Sequence, residues 1–136
     1  MGILDDRVVV VTGGTSGIGL ASGRRFAAEG ATVMIADRNA TQGEAAAKAI
    51  RGPGGRATFV KTDVTDDSQV AALVQQAASD HGVIDIWFNN ARIEGGIAEL
   101  ANLDDRTVRE LLDTNIKGVY SGMRHAVGPD RGIPPR

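Results

Sequence analysis

Residues 12–19, Thr-Gly-Gly-Thr-Ser-Gly-Ile-Gly, decide how this sequence of 136 residues is expected to fold. They follow a β-branched run, residues 7–12, and they lead into a segment, residues 16–29, whose composition favours a helix. A buried strand that ends in glycines and continues into a helix is typical of a parallel sheet. We therefore predict a strand, a tight turn and a helix, in this order.

The spacing of the glycines in this turn indicates a ligand as well as a fold. Gly13, Gly17 and Gly19 form the pattern T-G-x-x-x-G-x-G, which differs from the pattern G-x-G-x-x-G of other dinucleotide-binding turns. The physical requirement is similar, because glycines let a pyrophosphate approach the N–H groups at the start of a helix. The alternative is a glycine-rich turn that binds no ligand. The residues of this turn that we expect to bind a cofactor are Gly13, Thr15, Ser16, Gly17, Ile18 and Gly19.

Strand-like and helix-like segments alternate along the rest of the chain. Short apolar runs end in turn residues, and apolar residues then recur at helical spacing. This alternation predicts an α/β fold, a doubly wound parallel sheet with helices on both faces. The predicted strands are residues 7–12, 32–36, 57–61 and 84–88, and the predicted helices cover residues 16–29, 40–51, 70–81 and 104–123.

Length and composition indicate one domain and exclude several classes of binding partner. We predict a single domain over residues 1–127 and a disordered tail over residues 128–136, which holds three of the four prolines. The net charge of −2, with no long run of either sign, excludes an electrostatic footprint for nucleic acid. The longest apolar run near the N-terminus is too short to span a membrane. No cysteine is present, which excludes disulfides and thiolate metal sites and favours the cytoplasm; we also expect no other metal site.

An acidic residue follows the second predicted strand. Asp37 lies 18 residues after Gly19, where a dinucleotide-binding fold places a carboxylate to accept hydrogen bonds from the adenosine ribose. A 2′-phosphate would be repelled by that carboxylate, so we expect NAD rather than NADP. The neighbouring Arg38 is the residue type that binds such a phosphate, which keeps NADP as the alternative.

Taken together, these motifs resemble the N-terminal, cofactor-binding half of the short-chain dehydrogenase/reductase family. The resemblance extends over residues 7–127. The elements that carry it are residues 12–19, the pair Asp63 and Val64, the run Asn89, Asn90 and Ala91, and Asn115 with Gly118. It implies a Rossmann-type sheet of strand order 3-2-1-4 and the oxidoreduction of an alcohol or ketone by a nicotinamide cofactor. It also implies that Asp63 and Val64 contact the adenine, that Asn90 and Ala91 line the cofactor site, and that Asn115 shapes the catalytic site; the alternative for Asn115 is a buried amide that satisfies backbone or water.

The sequence departs from the family pattern in two respects. Arg92 stands where the family has glycine, and the family's catalytic Ser, Tyr and Lys lie beyond the matched part. The one tyrosine, Tyr120, is followed four residues later by Arg124 rather than by lysine, so we interpret it as a packing residue. We therefore expect this chain to bind the cofactor without turnover. The alternative is a non-catalytic module that binds a nucleotide or a partner.

A sheet that is truncated after its fourth strand and the following helix would leave an edge. We expect residues 84–88 to present unpaired backbone groups there, with Asp85 as a charged guard. The apolar stripe of the last helix, which includes Val108, Leu112, Ile116 and Met123, would add to an exposed patch. Such a surface predicts a homo-oligomer or another association through the sheet edge.

Overall fold

The computed structural model describes residues 2–128, in which four strands alternate with helices. A 3₁₀ turn, Leu100–Asn102, precedes the last helical region, and a π-helical segment, Asp113–Lys117, interrupts that region. The strands are β1 (Val8–Thr12), β2 (Thr32–Asp37), β3 (Arg56–Lys61) and β4 (Ile86–Phe88); the α-helices are α1 (Gly17–Ala28), α2 (Ala40–Arg51), α3 (Asp67–His81), α4 (Asp105–Leu112) and α5 (Gly118–Val127).

All four strands form one parallel sheet in the order β3-β2-β1-β4. In the register of this sheet, Val9 of β1 lies between Val33 of β2 and Ile86 of β4. This order confirms the predicted doubly wound, Rossmann-type sheet. Because β2 and β4 lie on opposite sides of β1, the strand order reverses there and leaves a crevice at the carboxyl ends of β1 and β4.

The hydrophobic core has two halves, because successive residues of a strand point to opposite faces of the sheet. Val9 and Val11 are fully buried on one face, where Ile50 of α2 packs against them. Val10 is fully buried on the other face with Leu73 of α3. The β-branched run of β1 therefore lies at the centre of the molecule, and its carboxyl end is held rigidly.

The starts of the helices differ in one respect that matters for the site. Asn39, Asp66 and Asp104 cap α2, α3 and α4, and each side chain accepts a hydrogen bond from a main-chain N–H of the first turn. Ser16 precedes α1 and forms no such side-chain bond with any residue that the structure describes. The start of α1 therefore lacks the side-chain acceptor that α2, α3 and α4 have; α5, which continues from the π-helical segment, has no side-chain cap either.

A polar cluster around Asp67 joins α5 to α3. Ser121 Oγ donates to Asp67 Oδ1 at 2.6 Å, and His125 Nε2 lies 3.0 Å from the same oxygen. Arg124 donates to Asp67 Oδ2 at 2.9 Å. The hydrogen bonds from Ser121 and His125 lower the pKa of Asp67 below its usual value.

Small residues form the buried face of α5. A Cβ atom at Gly118 would lie 2.9 Å from Val64 Cγ2, and one at Gly122 would lie 2.6 Å from Trp87 Nε1. The predicted packing of Tyr120 is wrong, because this position of α5 faces solvent and its side chain is 56% exposed. The expected exposed stripe is present, and its exposed members are Val108, Leu112, Ile116 and Met123.

The β4 edge differs in detail from the prediction. β4 begins at Ile86 rather than at Ile84, and among the described strands it has one neighbour, β1. Asp85 does not guard the outer edge, because its carboxylate accepts hydrogen bonds from the main-chain N–H of Val8 at 2.8 Å and from Arg7 at 3.0 Å. The predicted tail lies, from residue 129 onward, outside the described residues.

Candidate cofactor-binding site

The loops that follow the four strands meet at the carboxyl edge of the sheet. Residues 13–16 follow β1, and Asp37 ends β2. Asp63 follows β3, and Asn90 and Ala91 follow β4. Because ligands of such sheets bind outside the carboxyl ends at the point where the strand order reverses, this edge is the candidate site.

Thr12 and Asn90 fasten the glycine turn to the loop after β4. The main-chain N–H groups of Asn90 and Ala91 both donate to Thr12 Oγ1 at 3.1 Å. The Asn90 side-chain amide donates to the main-chain oxygens of Thr12 at 3.1 Å and of Gly13 at 2.9 Å. Thr12 Oγ1 in turn lies 3.4 Å from the main-chain oxygen of Phe88. The two loops that flank the crevice are thus one hydrogen-bonded unit.

Two glycines of the turn are required by this close approach. Gly13 has a φ of 63°, and a Cβ atom there would lie 2.7 Å from Ala91 Cα. A Cβ atom at Gly19 would lie 2.4 Å from Asn90 Nδ2. Gly17 differs, because a Cβ atom there would meet no atom within 4 Å. Gly13 and Gly19 therefore allow close internal packing, whereas Gly17 faces open space at the start of α1.

Asp37 is held in place by its neighbours. Thr15 Oγ1 donates to Asp37 Oδ2 at 2.9 Å, and the Asn39 main-chain N–H donates to Asp37 Oδ1 at 3.0 Å. The side chain is half-buried and lines the crevice, and the neighbouring Arg38 is exposed and lines it as well. The carboxylate is oriented before any ligand arrives, which is the arrangement that acceptance of a ribose hydroxyl requires.

Asp63 and Val64 form the wall of the crevice beyond β3. Asp63 Oδ1 accepts hydrogen bonds from the main-chain N–H and the hydroxyl of Thr65, at 2.9 and 2.7 Å. Val64 contributes an apolar surface beside Gly118 of α5. An apolar side chain next to a fixed polar loop can accommodate a flat base with a polar rim.

The crevice contains two adjoining hollows of about 90 and about 410 Å³, which share Gly13, Asp37 and Arg92 in their walls. The smaller hollow lies toward β2 and β3, and the larger one lies over the start of α1. The further residues of the smaller hollow are Ala36, Arg38, Thr62, Asp63, Val64, Ala91, Ile93 and Thr114, and those of the larger hollow are Ser16, Gly17, Ile18, Asn90 and Glu94.

Asn115 lies in the π-helical segment and holds the loop after β4. Its Oδ1 accepts from the Ile93 main-chain N–H at 2.9 Å, and its Nδ2 donates to the Ile93 carbonyl at 3.0 Å. The buried-amide alternative is therefore met by backbone partners. π-Helical turns are rare and often occur at functional sites. Sequence periodicity did not indicate this segment, because one additional residue in a helical turn leaves no local signature.

The walls of the crevice thus include every candidate residue except Thr15, Gly19 and Asn115. Thr15 donates to Asp37, Gly19 packs closely against Asn90, and Asn115 holds the loop after β4. Sequence reasoning missed the Thr12 hydroxyl, Ile93 and Glu94, although Thr12 was part of the quoted motif. Over residues 2–128 no group of His, Asp or Glu side chains could hold a metal ion. The helices of that range include none long and apolar enough to cross a membrane.

The chain belongs to the short-chain dehydrogenase family. The family model, described as short chain dehydrogenase, matches residues 7–129. The fold, the glycine turn and the residues at the carboxyl edge account for this match in structural terms.

The curated relatives are dehydrogenases and reductases. The chain is 42% identical over 122 residues to a cis-4-hydroxycyclohexanecarboxylate dehydrogenase of Sinomonas cyclohexanicum, a match that covers 90% of this chain and 49% of that protein. It is 36% identical over 127 residues to a 3beta-hydroxysteroid dehydrogenase of Mediterraneibacter gnavus, with coverages of 93% and 46%. The chain spans about half the length of these relatives.

Solved structures agree with the fold. An actinorhodin polyketide ketoreductase variant with NADPH superposes with a TM-score of 0.87 at 33% identity, over 93% of this chain and 48% of the other. A citronellol catabolism dehydrogenase of Pseudomonas aeruginosa PAO1 superposes with a TM-score of 0.86 at 31% identity, over 92% and 51%. The chain therefore shares the fold of these two structures over about half of their length.

Proposed function

We propose that this chain binds NAD at the carboxyl edge of its sheet, as the cofactor-binding part of a dehydrogenase that interconverts an alcohol and a ketone. The observation that carries the proposal is the meeting of the glycine turn, Asp37, the Asp63 loop and the Asn90 loop at the reversal of strand order. In this proposal the pyrophosphate lies at the uncapped start of α1, because N–H groups and the helix dipole favour an anion there. The adenosine ribose lies against Asp37, and the adenine lies beside Val64.

NAD is proposed over NADP because of the orientation of Asp37. Its carboxylate is held by Thr15 and Asn39 toward the crevice, where a 2′-phosphate would meet a like charge. Arg38 and the NADPH of the ketoreductase relative support the alternative, NADP. Calorimetric titration with both cofactors tests the choice: tighter binding of NAD is expected, and tighter binding of NADP would contradict it.

The 136-residue polypeptide is proposed to bind cofactor without turnover. Hydride transfer at a carbinol carbon needs a group that exchanges the proton of the oxygen. Tyr120 is exposed on α5, and its ring lies 5.9 Å from the guanidinium carbon of Arg124 rather than in the crevice. The purified polypeptide with NAD and a panel of secondary alcohols is expected to give no absorbance of NADH. Turnover that Tyr120→Phe abolishes would contradict this part of the proposal.

Two further parts of the proposal concern the oligomeric state of the chain and its location in the cell. Self-association is proposed through the exposed stripe of α4 and α5 and the outer edge of β4, because contiguous apolar side chains rarely remain exposed on a monomer. A cytoplasmic location is proposed because the sequence has no cysteine, which is compatible with a reducing compartment.

A further inference from the structure

We infer that Arg92 binds the pyrophosphate of the cofactor and that Glu94 holds its guanidinium until the cofactor arrives. This inference rests on the proposed function, and it assigns a specific role to a residue that departs from the family pattern. Arg92 lines both hollows of the crevice, and its Nη1 lies 2.7 Å from Glu94 Oε1.

The charges around the larger hollow call for a cation at this position. The charged side chains among its described lining residues are Asp37, Glu94 and Arg92. Two carboxylates and one guanidinium leave this hollow with a net negative charge, yet it lies at the start of α1, where the proposal places the pyrophosphate. Arg92 is the one cationic side chain in that wall, so it is the group that can compensate the charge of a bound diphosphate.

The backbone on both sides of Arg92 is fixed. The Ala91 N–H donates to Thr12 Oγ1, and Ile93 is bound through both its N–H and its carbonyl by Asn115. The Cα of Arg92 is therefore anchored beside the glycine turn, and only its side chain is free to move. This anchoring keeps the base of the Arg92 side chain at the crevice, where the residue lines both hollows.

The ion pair with Glu94 is exchangeable. The side chains of Arg92 and Glu94 are 63% and 78% exposed, and an ion pair this exposed contributes little to stability. A diphosphate offers the planar guanidinium two parallel hydrogen bonds and a larger charge than one carboxylate does. The expected exchange therefore favours the phosphate, and Glu94 acts as a competitor that weakens cofactor binding.

The test uses the 136-residue chain and three ligands, NAD, ADP-ribose and adenosine, of which adenosine has no phosphate. Arg92→Gln is expected to lower the affinity for NAD and for ADP-ribose by about three- to thirtyfold and to change the affinity for adenosine by less than about twofold. Arg92→Lys, which keeps the charge and loses the planar fork, is expected to give an intermediate loss. Glu94→Gln is expected to tighten NAD and ADP-ribose, because it removes both the competitor and a like charge.

Arg25→Gln is the matched control, since Arg25 also pairs with a glutamate, Glu29, but at the far end of α1. It is expected to change no affinity. The inference is overturned if Arg92→Gln leaves ADP-ribose within twofold, if it weakens adenosine equally, or if Glu94→Gln weakens NAD. Absence of NAD binding in the unmodified chain would overturn the proposed function as well. Binding that Asp37→Ala weakens and Arg92→Gln does not would overturn this inference alone.

Discussion

The side-chain amide of Asn90 donates to the main-chain oxygen of Thr12 at 3.1 Å, and the Thr12 hydroxyl accepts the Asn90 main-chain N–H at the same distance. These two bonds, both donated by Asn90 and both accepted by Thr12, join the ends of two strands that are more than seventy residues apart in sequence. They also place the glycine turn against the loop that carries Arg92. The geometry of the candidate site therefore depends on this pair.

Asn90→Ala is expected to destabilise the chain by roughly 1–3 kcal/mol, because the part-buried oxygens of Thr12 and Gly13 lose their donor. Urea unfolding followed by tryptophan fluorescence measures the loss. Asn102→Ala, in the exposed 3₁₀ turn, is the control and is expected to change stability by less than about 0.5 kcal/mol. Equal stability of the two variants would show that the bonds of Asn90 are not important for the fold.

Asp37→Ala is expected to weaken the binding of NAD by roughly 1.5–3 kcal/mol, or about ten- to hundredfold in affinity, because charge-assisted hydrogen bonds to the ribose are lost. The loss for NADP is expected to be smaller, because removal of the carboxylate also removes its repulsion of the 2′-phosphate. Asp37→Asn retains acceptor oxygen for Thr15 and separates the effect of charge from that of loop order. Equal losses for both cofactors would contradict the assignment of an NAD site.

Asp67 makes stability depend on pH in the acid range. Hydrogen bonds from Ser121 and His125 lower its pKa in the folded chain, so the unfolded chain binds more protons around pH 4. The stabilisation is complete above roughly pH 5 and is lost as the pH falls through the lowered pKa. The difference in Tm between the unmodified chain and Asp67→Asn should therefore shrink between pH 6 and pH 2.5.

Asp80→Asn is the control for this pH series, since Asp80 accepts hydrogen bonds from Gln76 on the exposed side of α3. Its Tm is expected to follow that of the unmodified chain at every pH. If the Asp67→Asn difference is constant down to pH 2.5, the cluster does not contribute through the charge of Asp67.

Self-association through the exposed stripe is tested at Ile116, whose side chain is 63% exposed. Ile116→Lys is expected to lower the mass measured by light scattering at micromolar concentration, because a charge in an apolar interface costs desolvation energy. Val83→Lys is the matched control, since Val83 is 60% exposed, follows α3 and is not one of the stripe residues. A monomeric unmodified chain, or equal masses for both variants, would contradict the proposed association.

Much of the fold could be predicted because local signals agreed with it. Gly30 and Gly82, a residue type that favours the ends of helices, stand where α1 and α3 end and have φ values of 94° and 83°, and Asn39, a residue type that favours helix starts, caps α2. The strand order followed from a family resemblance that rests on four motifs. In these elements the residue type at one position is enough to predict where a helix starts or ends.

The remaining features depend on contacts that no local pattern encodes. Asn115 of the π-helical turn forms hydrogen bonds with the backbone of Ile93, which lies 22 residues away in sequence. Apolar residues recur at helical spacing along the last helix. The face that approaches the sheet is nevertheless the one that carries Gly118 and Gly122, because only small residues fit there. The Arg92–Glu94 pair depends on side-chain conformation within a loop, which spacing alone does not specify. The roles of the cofactor-site residues stay predictions until binding is measured.

The most direct test of the central claim is an NMR titration of the isotopically labelled 136-residue chain with NAD, followed through its backbone amides. The account predicts saturable shifts confined to the carboxyl edge of the sheet, at Gly13, Gly17, Asp37 and Ala91, with Gly30 and Gly54 at the opposite edge unchanged. Absence of shifts at millimolar NAD, or shifts centred on the opposite edge, would contradict the claim that this edge is a dinucleotide site.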